Sequence, residues 1–281
     1  MEVPVVKQLS RRPVILYRKS LMDAEELAAA KERFACVFQR TALRRDDLVI
    51  PRYCVLPEPV ELQDDVDLVG ANLLNDLRQH RYLADMRNWV EDLREFTPKT
   101  WYRLEDVDED GPYVLKGQTN SRKGDWNTHC FAKDRAAMEQ VYWRLCTDGL
   151  IGLGQQQIYI RKYVPLAKLI DGLNGIPVTR EFRFFTAFGK ILCGAYYWQN
   201  YLEDLPAVPD VSEVPIAFVQ SVLDRVKDHA NGIVIDVAQT ATGDWICIEL
   251  NDLCMSGLSC NDPKILYTRL KEVLFEQEFG S

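Results

Sequence analysis

Two short apolar runs near the C-terminus bring three oxygen-bearing side chains to one place, and no other segment constrains the chain as strongly. Residues 232–238 read as a strand, 241–244 as a polar turn with Gly243, and 245–251 as the returning strand of a hairpin. Pairing Thr240 with Trp245 at the base of the turn sets Asp236 opposite Glu249, with side chains about 5 Å apart. Asn251 joins them by the two-residue period of a strand, and Ile235, Val237, Ile246, Ile248 and Leu250 take the other, buried face. Facing carboxylates repel unless a cation lies between them, and hard oxygen donors in this arrangement suit Mg²⁺. The same spacing also fits a solvated acidic face, and spacing alone does not choose.

Composition narrows the field. The 42 acidic and 34 basic residues give a net charge of -8, so the global cationic field of a dedicated nucleic-acid binder is missing, although a local basic groove stays open. No run approaches the roughly 20 apolar residues that span a bilayer, and residues 1–12 hold no apolar signal core, so the expected location is cytoplasmic, without a membrane partner. Eight cysteines without a C-x-x-C pair read as reduced, mostly buried thiols; Cys254 and Cys260 have no histidine near them in sequence to make a metal site or a nucleophile. His80, His129 and His229 show no mutual ligand spacing, and no serine sits in a G-x-S-x-G elbow, which leaves hydrolase triads unsupported.

Along the chain, residues 13–17 read as a strand and 23–30 open a helix with an acidic first turn. A second strand spans 48–56, broken by Pro51, and 73–93 has helical spacing in Leu74, Leu77, Leu83, Trp89, Val90 and Leu93, ending at Thr97-Pro98. Beyond Trp101 the texture turns to strands at 113–116, 157–163, 181–188 and 190–198, with helices at 135–146 and 216–229 and a prolyl loop at 205–215. The expected organisation is an α/β domain over residues 1–98 and an α+β portion over 99–281, of ordinary domain sizes.

Lys116 ends one of these strands and leads into the small, polar 117–125 stretch with Arg122 and Lys123, a composition that suits a loop covering phosphates and equally a plain basic surface loop. It is not a Walker A loop, since Gly124 is followed by Asp125, not by lysine. Gly152-Leu153-Gly154 lacks the third glycine of a dinucleotide fingerprint and marks a turn. The 180–185 run places Glu181, Arg183 and Phe185 on one strand face; Arg183 there would stabilise a transferring phosphoryl group, or the face is simply exposed with an Arg–Glu pair.

In this order the pieces resemble the ATP-grasp fold, an α+β architecture here preceded by a small α/β domain, with a lid subdomain over about 99–163 and a metal-binding subdomain over about 164–281. Asp236, Glu249 and Asn251 match the spacing of the magnesium ligands in relatives of D-alanine–D-alanine ligase, and residues 248–251 the apolar-Glu-apolar-Asn signature. Lys116 resembles the family lysine that reaches the nucleotide, and 157–165 resembles the hinge strand that pairs with adenine, which nominates Gln157, Arg161, Lys162 and Tyr163; the acid common early in that hinge is absent. Where many members carry Asp-Lys before the exit proline, this chain has His80-Arg81, so either Arg81 replaces a second nucleotide lysine or that contact is missing. Arg81, Lys116 and Lys123 together are similar to a small clade defined by an arginine and lysine set.

The resemblance implies ATP with Mg²⁺ or Mn²⁺ and joining of a small-molecule or peptide carboxylate to an amine through an acylphosphate. Lys116 and Lys123 would hold phosphates, Arg183 would stabilise the transferring group, and loop 117–128 would close over the site. A phosphotransferase or acid–thiol ligase on the same scaffold is the first alternative. The second is a non-catalytic nucleotide- or RNA-binding module, since Trp126, Tyr159, Tyr163, Tyr196, Tyr197 and Trp198 lie among basic residues as stacking platforms would.

Overall fold

Strands β1 (Arg12–Tyr17), β2 (Ala35–Val37), β3 (Asp47–Arg52) and β4 (Asn72–Leu73) form a parallel sheet in the order β2-β1-β3-β4. The computed structural model describes residues 10–18, 22–53, 59–119 and 121–279. β1 is apolar almost throughout because helices cover both faces of such a sheet. Helix α1 (Ala24–Arg33) follows β1 and is capped by Asp23, whose Oδ1 accepts from the backbone N–H of Glu25 at 2.7 Å. Helix α2 (Pro59–Leu68) lies between β3 and β4. The expected second strand ends earlier than its composition suggests, at Arg52, and residues 54–58 of that stretch lie outside the described residues.

The continuous helix expected from Leu73 is not formed. Leu73 extends in β4, α3 (Leu77–Ala84) begins at Asp76 with a capping box to Gln79, and Asp85 caps a separate short turn, α4 (Met86–Trp89). Two capping aspartates offer the backbone an alternative to helix that apolar spacing does not register.

A second sheet, antiparallel, holds β5 (Thr100–Trp101), β6 (Tyr113–Gly117), β7 (Phe131–Ala132) and β8 (Ile158–Lys162) in the order β5-β8-β6-β7. Helix α5 (Arg135–Thr147) packs Met138, Val141 and Leu145 on it, giving this unit its own core with Tyr113, Leu115, Ile158 and Ile160. Residues 118–130 cross between β6 and β7 through a 3₁₀ turn and a turn of π-helix.

After a small hairpin of β9 (Lys168–Asp171) and β10 (Pro177–Thr179) comes the third sheet, built from β11 (Glu181–Ala187), β12 (Lys190–Tyr196), β13 (Gly232–Gln239) and β14 (Trp245–Asn251) in the order β12-β11-β13-β14. Phe188 and Gly189, at φ 49 and 72°, make the expected β11–β12 turn. One face of this sheet, with Phe182, Phe184, Ile235 and Val237, is covered by α6 (Ile216–Val226) and by residues of α3 and α4. The other face divides. Phe185, Ala187 and Val234 pack under α7 (Pro263–Phe279) and against β1 and β3, whereas Glu181, Arg183 and Asp236 at the opposite end remain facing the second sheet.

Helix α7 has no counterpart in the sequence reading, though Leu266, Tyr267, Leu270, Val273 and Leu274 carry its spacing. Through α7 the first and third sheets share a core, while the second stands apart. Among the described residues no disulfide joins the seven cysteines, and no helix is long and apolar enough to cross a membrane. The mixture of sheets and helices is α+β, as expected.

Candidate active site

Asp236 pairs with Glu249 as the spacing predicts, but by a different route. Trp245 pairs with Gln239 rather than Thr240, and the loop closes through a Thr240 N–H donated to the Asp244 carbonyl at 2.7 Å. A bulge between Asp236 and Val237 absorbs one residue of β14 and restores the carboxylate pairing. Beyond it the faces exchange: Cys247 joins Leu250 in the core, while Ile246 and Ile248 line the cleft. The expectation that Ile246 and Ile248 lie on the buried face is therefore corrected, because a bulge re-aims the side chains that follow it.

Cations from two sheets converge on this pair. Arg183 is the cross-strand partner of Asp236 and grips it with both arms of its guanidinium, Nε to Oδ1 at 2.8 Å and Nη2 to Oδ2 at 2.7 Å. Lys116, from β6, crosses the cleft to pair with Glu249. Lys123 donates to the Tyr197 hydroxyl at 3.2 Å and stands 4.8 Å from the centroid of that ring and 5.4 Å from Trp198; Arg183 lies 4.8 Å from the same tyrosine ring.

The electrostatics follow. Burial alone would push the Glu249 carboxyl up, but Lys116, Lys123 and Arg183 outweigh it and hold it at about 2. Burial opposes the charges of Lys123 and Arg183, yet Tyr197, Glu181 and Glu249 keep the first above its ordinary value and Asp236 does the same for the second. Glu181 behaves differently: burial raises it to about 7, with Lys123 offsetting only part of the effect and Asp236 adding to it. Its Oε1 is buried with no hydrogen-bond partner, and the side chain lines the cleft. Sequence reasoning placed Glu181 on the face of Arg183 and gave it no role; the strand's alternation was the available signal.

The hinge strand contributes unevenly. Arg161 lines the cleft but donates to the Ile248 carbonyl at 2.7 Å and the Thr97 hydroxyl at 2.6 Å, stitching β8 to β14. Lys162 and Tyr163 line the cleft as well, and Lys162 donates to the Asp110 carbonyl at 2.5 Å. Gln157 instead spends its amide on the carbonyls of Tyr102 and Ile158, both at 2.8 Å, and is not among the lining residues. Asn251 pairs with Val234, which leaves it on the face of Asp236 and Glu249. Arg81 is not brought to the cleft: α3 turns His80 and Leu83 inward, and exposed Arg81 borders a separate depression with Tyr82, Asp92 and His229.

The cleft between the second and third sheets has an empty volume of about 1010 Å³. Val114, Leu166, Ile176, Ile246 and Ile248 give it apolar walls that suit a flat ring, and Lys116, Lys123 and Glu249 form its charged end. The donors at that end are oxygens only, and each carboxylate oxygen engaged by Arg183 or Lys116 keeps a further lone pair, so the set fits a hard divalent cation.

Residues 103–270, well over half of the chain, match the family model for an ATP-grasp domain, family 3 of the clade marked by an arginine and two lysines. Among solved structures the fold is similar to that of the D-cycloserine synthetase DcsG, with a TM-score of 0.62 at 13% identity over 93% of this chain and 99% of that one. It is also similar to the ATP-grasp ligase PsnB complexed with precursor peptide PsnA2 and AMPPNP, at 0.58 and 11% over 97% and 99%. An L-amino acid ligase from Bacillus licheniformis gives 0.56 and 11% over 98% and 77%. No curated protein matches the sequence. The chain belongs to the ATP-grasp superfamily, in family 3 of that arginine–lysine clade, and is an ATP-dependent ligase.

Proposed function

We propose that this protein uses ATP and Mg²⁺ to join a carboxylate to an amine through an acylphosphate, releasing ADP and phosphate. The observation that carries the reading is the Asp236–Glu249 pair, two facing carboxylates matched by Arg183 from their own sheet and Lys116 from the opposite one. Asp236, Glu249 and Asn251 would hold the divalent cation, which supplies charge neutralisation to phosphate oxygens.

The chain's own residues do the rest. A substrate carboxylate oxygen bonds to the γ-phosphorus as ADP leaves; the amine nitrogen then bonds to the acyl carbon as phosphate leaves. Lys116 and Lys123 neutralise the phosphates, and Arg183, fixed by Asp236, presents a rigid cation to the transferring group. Glu181, with an unpartnered oxygen and a value near neutrality, takes the proton that the attacking amine must lose. Residues 118–130 carry Lys123 and cover the cleft against water, which would otherwise hydrolyse the acylphosphate. Peptide and amino-acid ligases among the structural neighbours support small-molecule or peptide substrates.

The test is a screen of carboxylates with ATP and Mg²⁺ in the presence of hydroxylamine. Stoichiometric hydroxamate and ADP support the reading. A stable phosphorylated product would assign a phosphotransferase instead, and no ADP release with any amine and carboxylate pair would count against turnover altogether.

A further inference from the structure

Cys254 has no histidine near it in sequence, yet the fold delivers one. His80, on the inward face of α3, lies with its Nδ1 3.7 Å from the Cys254 sulfur and 3.1 Å from Asp252 Oδ2. All three side chains are buried, and their ligand-type atoms lie within 4.8 Å of one another, the one such cluster of three among the described residues. It is distinct from the Asp236–Glu249 pair and plays no part in the chemistry proposed for the cleft.

We propose that His80, Asp252 and Cys254 form a zinc site that clamps α3 to the segment following β14. Three features support it. Zinc bonds of about 2.0 to 2.3 Å in a tetrahedron put neighbouring donors roughly 3.4 to 3.6 Å apart, close to the distances present. The donor set of imidazole, carboxylate and thiolate suits zinc and is too soft for magnesium. All three residues border a small cavity of about 20 Å³, room for the single water that would complete four-coordination.

The surroundings are built as an outer shell. Asn75 Nδ2 donates to Asp252 Oδ2 at 2.9 Å and to the Gly232 carbonyl at 2.7 Å, and the Cys254 N–H donates to Asp252 Oδ1 at 3.0 Å, which orients the carboxylate. Asp252 directly follows Asn251, so an ion here would fix the end of β14, where Asn251 stands beside the carboxylate pair.

The experiment strips the full chain with a chelator and titrates it with Zn²⁺ and, for spectroscopy, Co²⁺. Binding of one equivalent, a near-ultraviolet thiolate-to-cobalt charge-transfer band and a raised melting temperature are expected. Cys254→Ser, which keeps the side-chain shape, should abolish the band and weaken zinc binding at least tenfold, and His80→Gln should weaken it similarly. A band that persists in Cys254→Ser would overturn the proposal. So would a melting temperature indifferent to zinc, which would leave Asp252 and His80 as a metal-free hydrogen-bonded pair.

Discussion

Lys116 on β6 and Glu249 on β14 are 133 residues apart and form an ion pair across the cleft, joining the second sheet to the carboxylates of the third. The pair neutralises charge that would otherwise repel within the Asp236–Glu249 register, and it places the lysine where phosphates would compete for it. Glu249→Gln should lower ATP turnover by at least about 100-fold while preserving the fold, because it removes a charged oxygen donor and leaves the shape. An ADP-release assay beside a circular-dichroism melt checks this; a folded variant with full turnover would remove Glu249 from the site.

Arg183→Lys keeps the charge and loses the two-armed grip on Asp236. A fall in kcat of roughly 10- to 100-fold is expected, with KM for ATP changing less, since the loss falls on the transferring group rather than on nucleotide binding. Steady-state kinetics decide it, and an unchanged kcat would show that the guanidinium only supports Asp236.

Glu181 sets a pH dependence with a defined sign. Its folded value, about 7, lies above its ordinary 4.5, so the folded state carries a penalty that is absent below about 4.5 and complete above about 7. At about 1.4 kcal/mol per pH unit the effect is on the order of 3 kcal/mol. Glu181→Gln should therefore melt higher than the natural chain at pH 8, with the gap closing toward pH 4.5, and should lose the limb of the pH–rate profile near 7. A constant gap across that range would show that Glu181 does not titrate there. Glu249 works the other way: held at about 2, it contributes stability above about 4.5 that is lost as pH falls through 2.

How much of this is legible in the sequence depends on the range of the interaction. The hairpin, the Asp236–Glu249 pairing and the shared face of Glu181 and Arg183 follow from the two-residue period of strands, which the chain displays locally. The bulge does not, since nothing in residues 245–251 marks which one will be absorbed, and strict alternation fails at Ile246 and Ile248 for that reason. Lys116 reaching Glu249 and His80 reaching Cys254 are contacts between elements far apart in the chain, set by how sheets stack and not by any local pattern. The gap at Asp76 is legible as a helix cap, but the longer apolar repeat from Leu74 to Leu93 masks it.

Packing behind the site gives a prediction of its own. Gly194 on β12 is the cross-strand partner of Phe184, and a Cβ there would lie 2.3 Å from the phenyl ring. Gly194→Ala should cost about 1 to 3 kcal/mol by displacing a core aromatic next to Arg183. Chemical denaturation measures it, and a neutral result would mean the ring has room to move.

The central claim is that the carboxylate pair carries a metal-bound nucleotide, and calorimetry with AMPPNP in the presence and absence of Mg²⁺ addresses it most directly. The natural chain should bind the nucleotide at least tenfold more tightly with Mg²⁺, and Asp236→Asn with Glu249→Gln should erase that difference. Equal affinity with and without Mg²⁺ in the natural chain, or a metal dependence that survives both substitutions, would contradict the account.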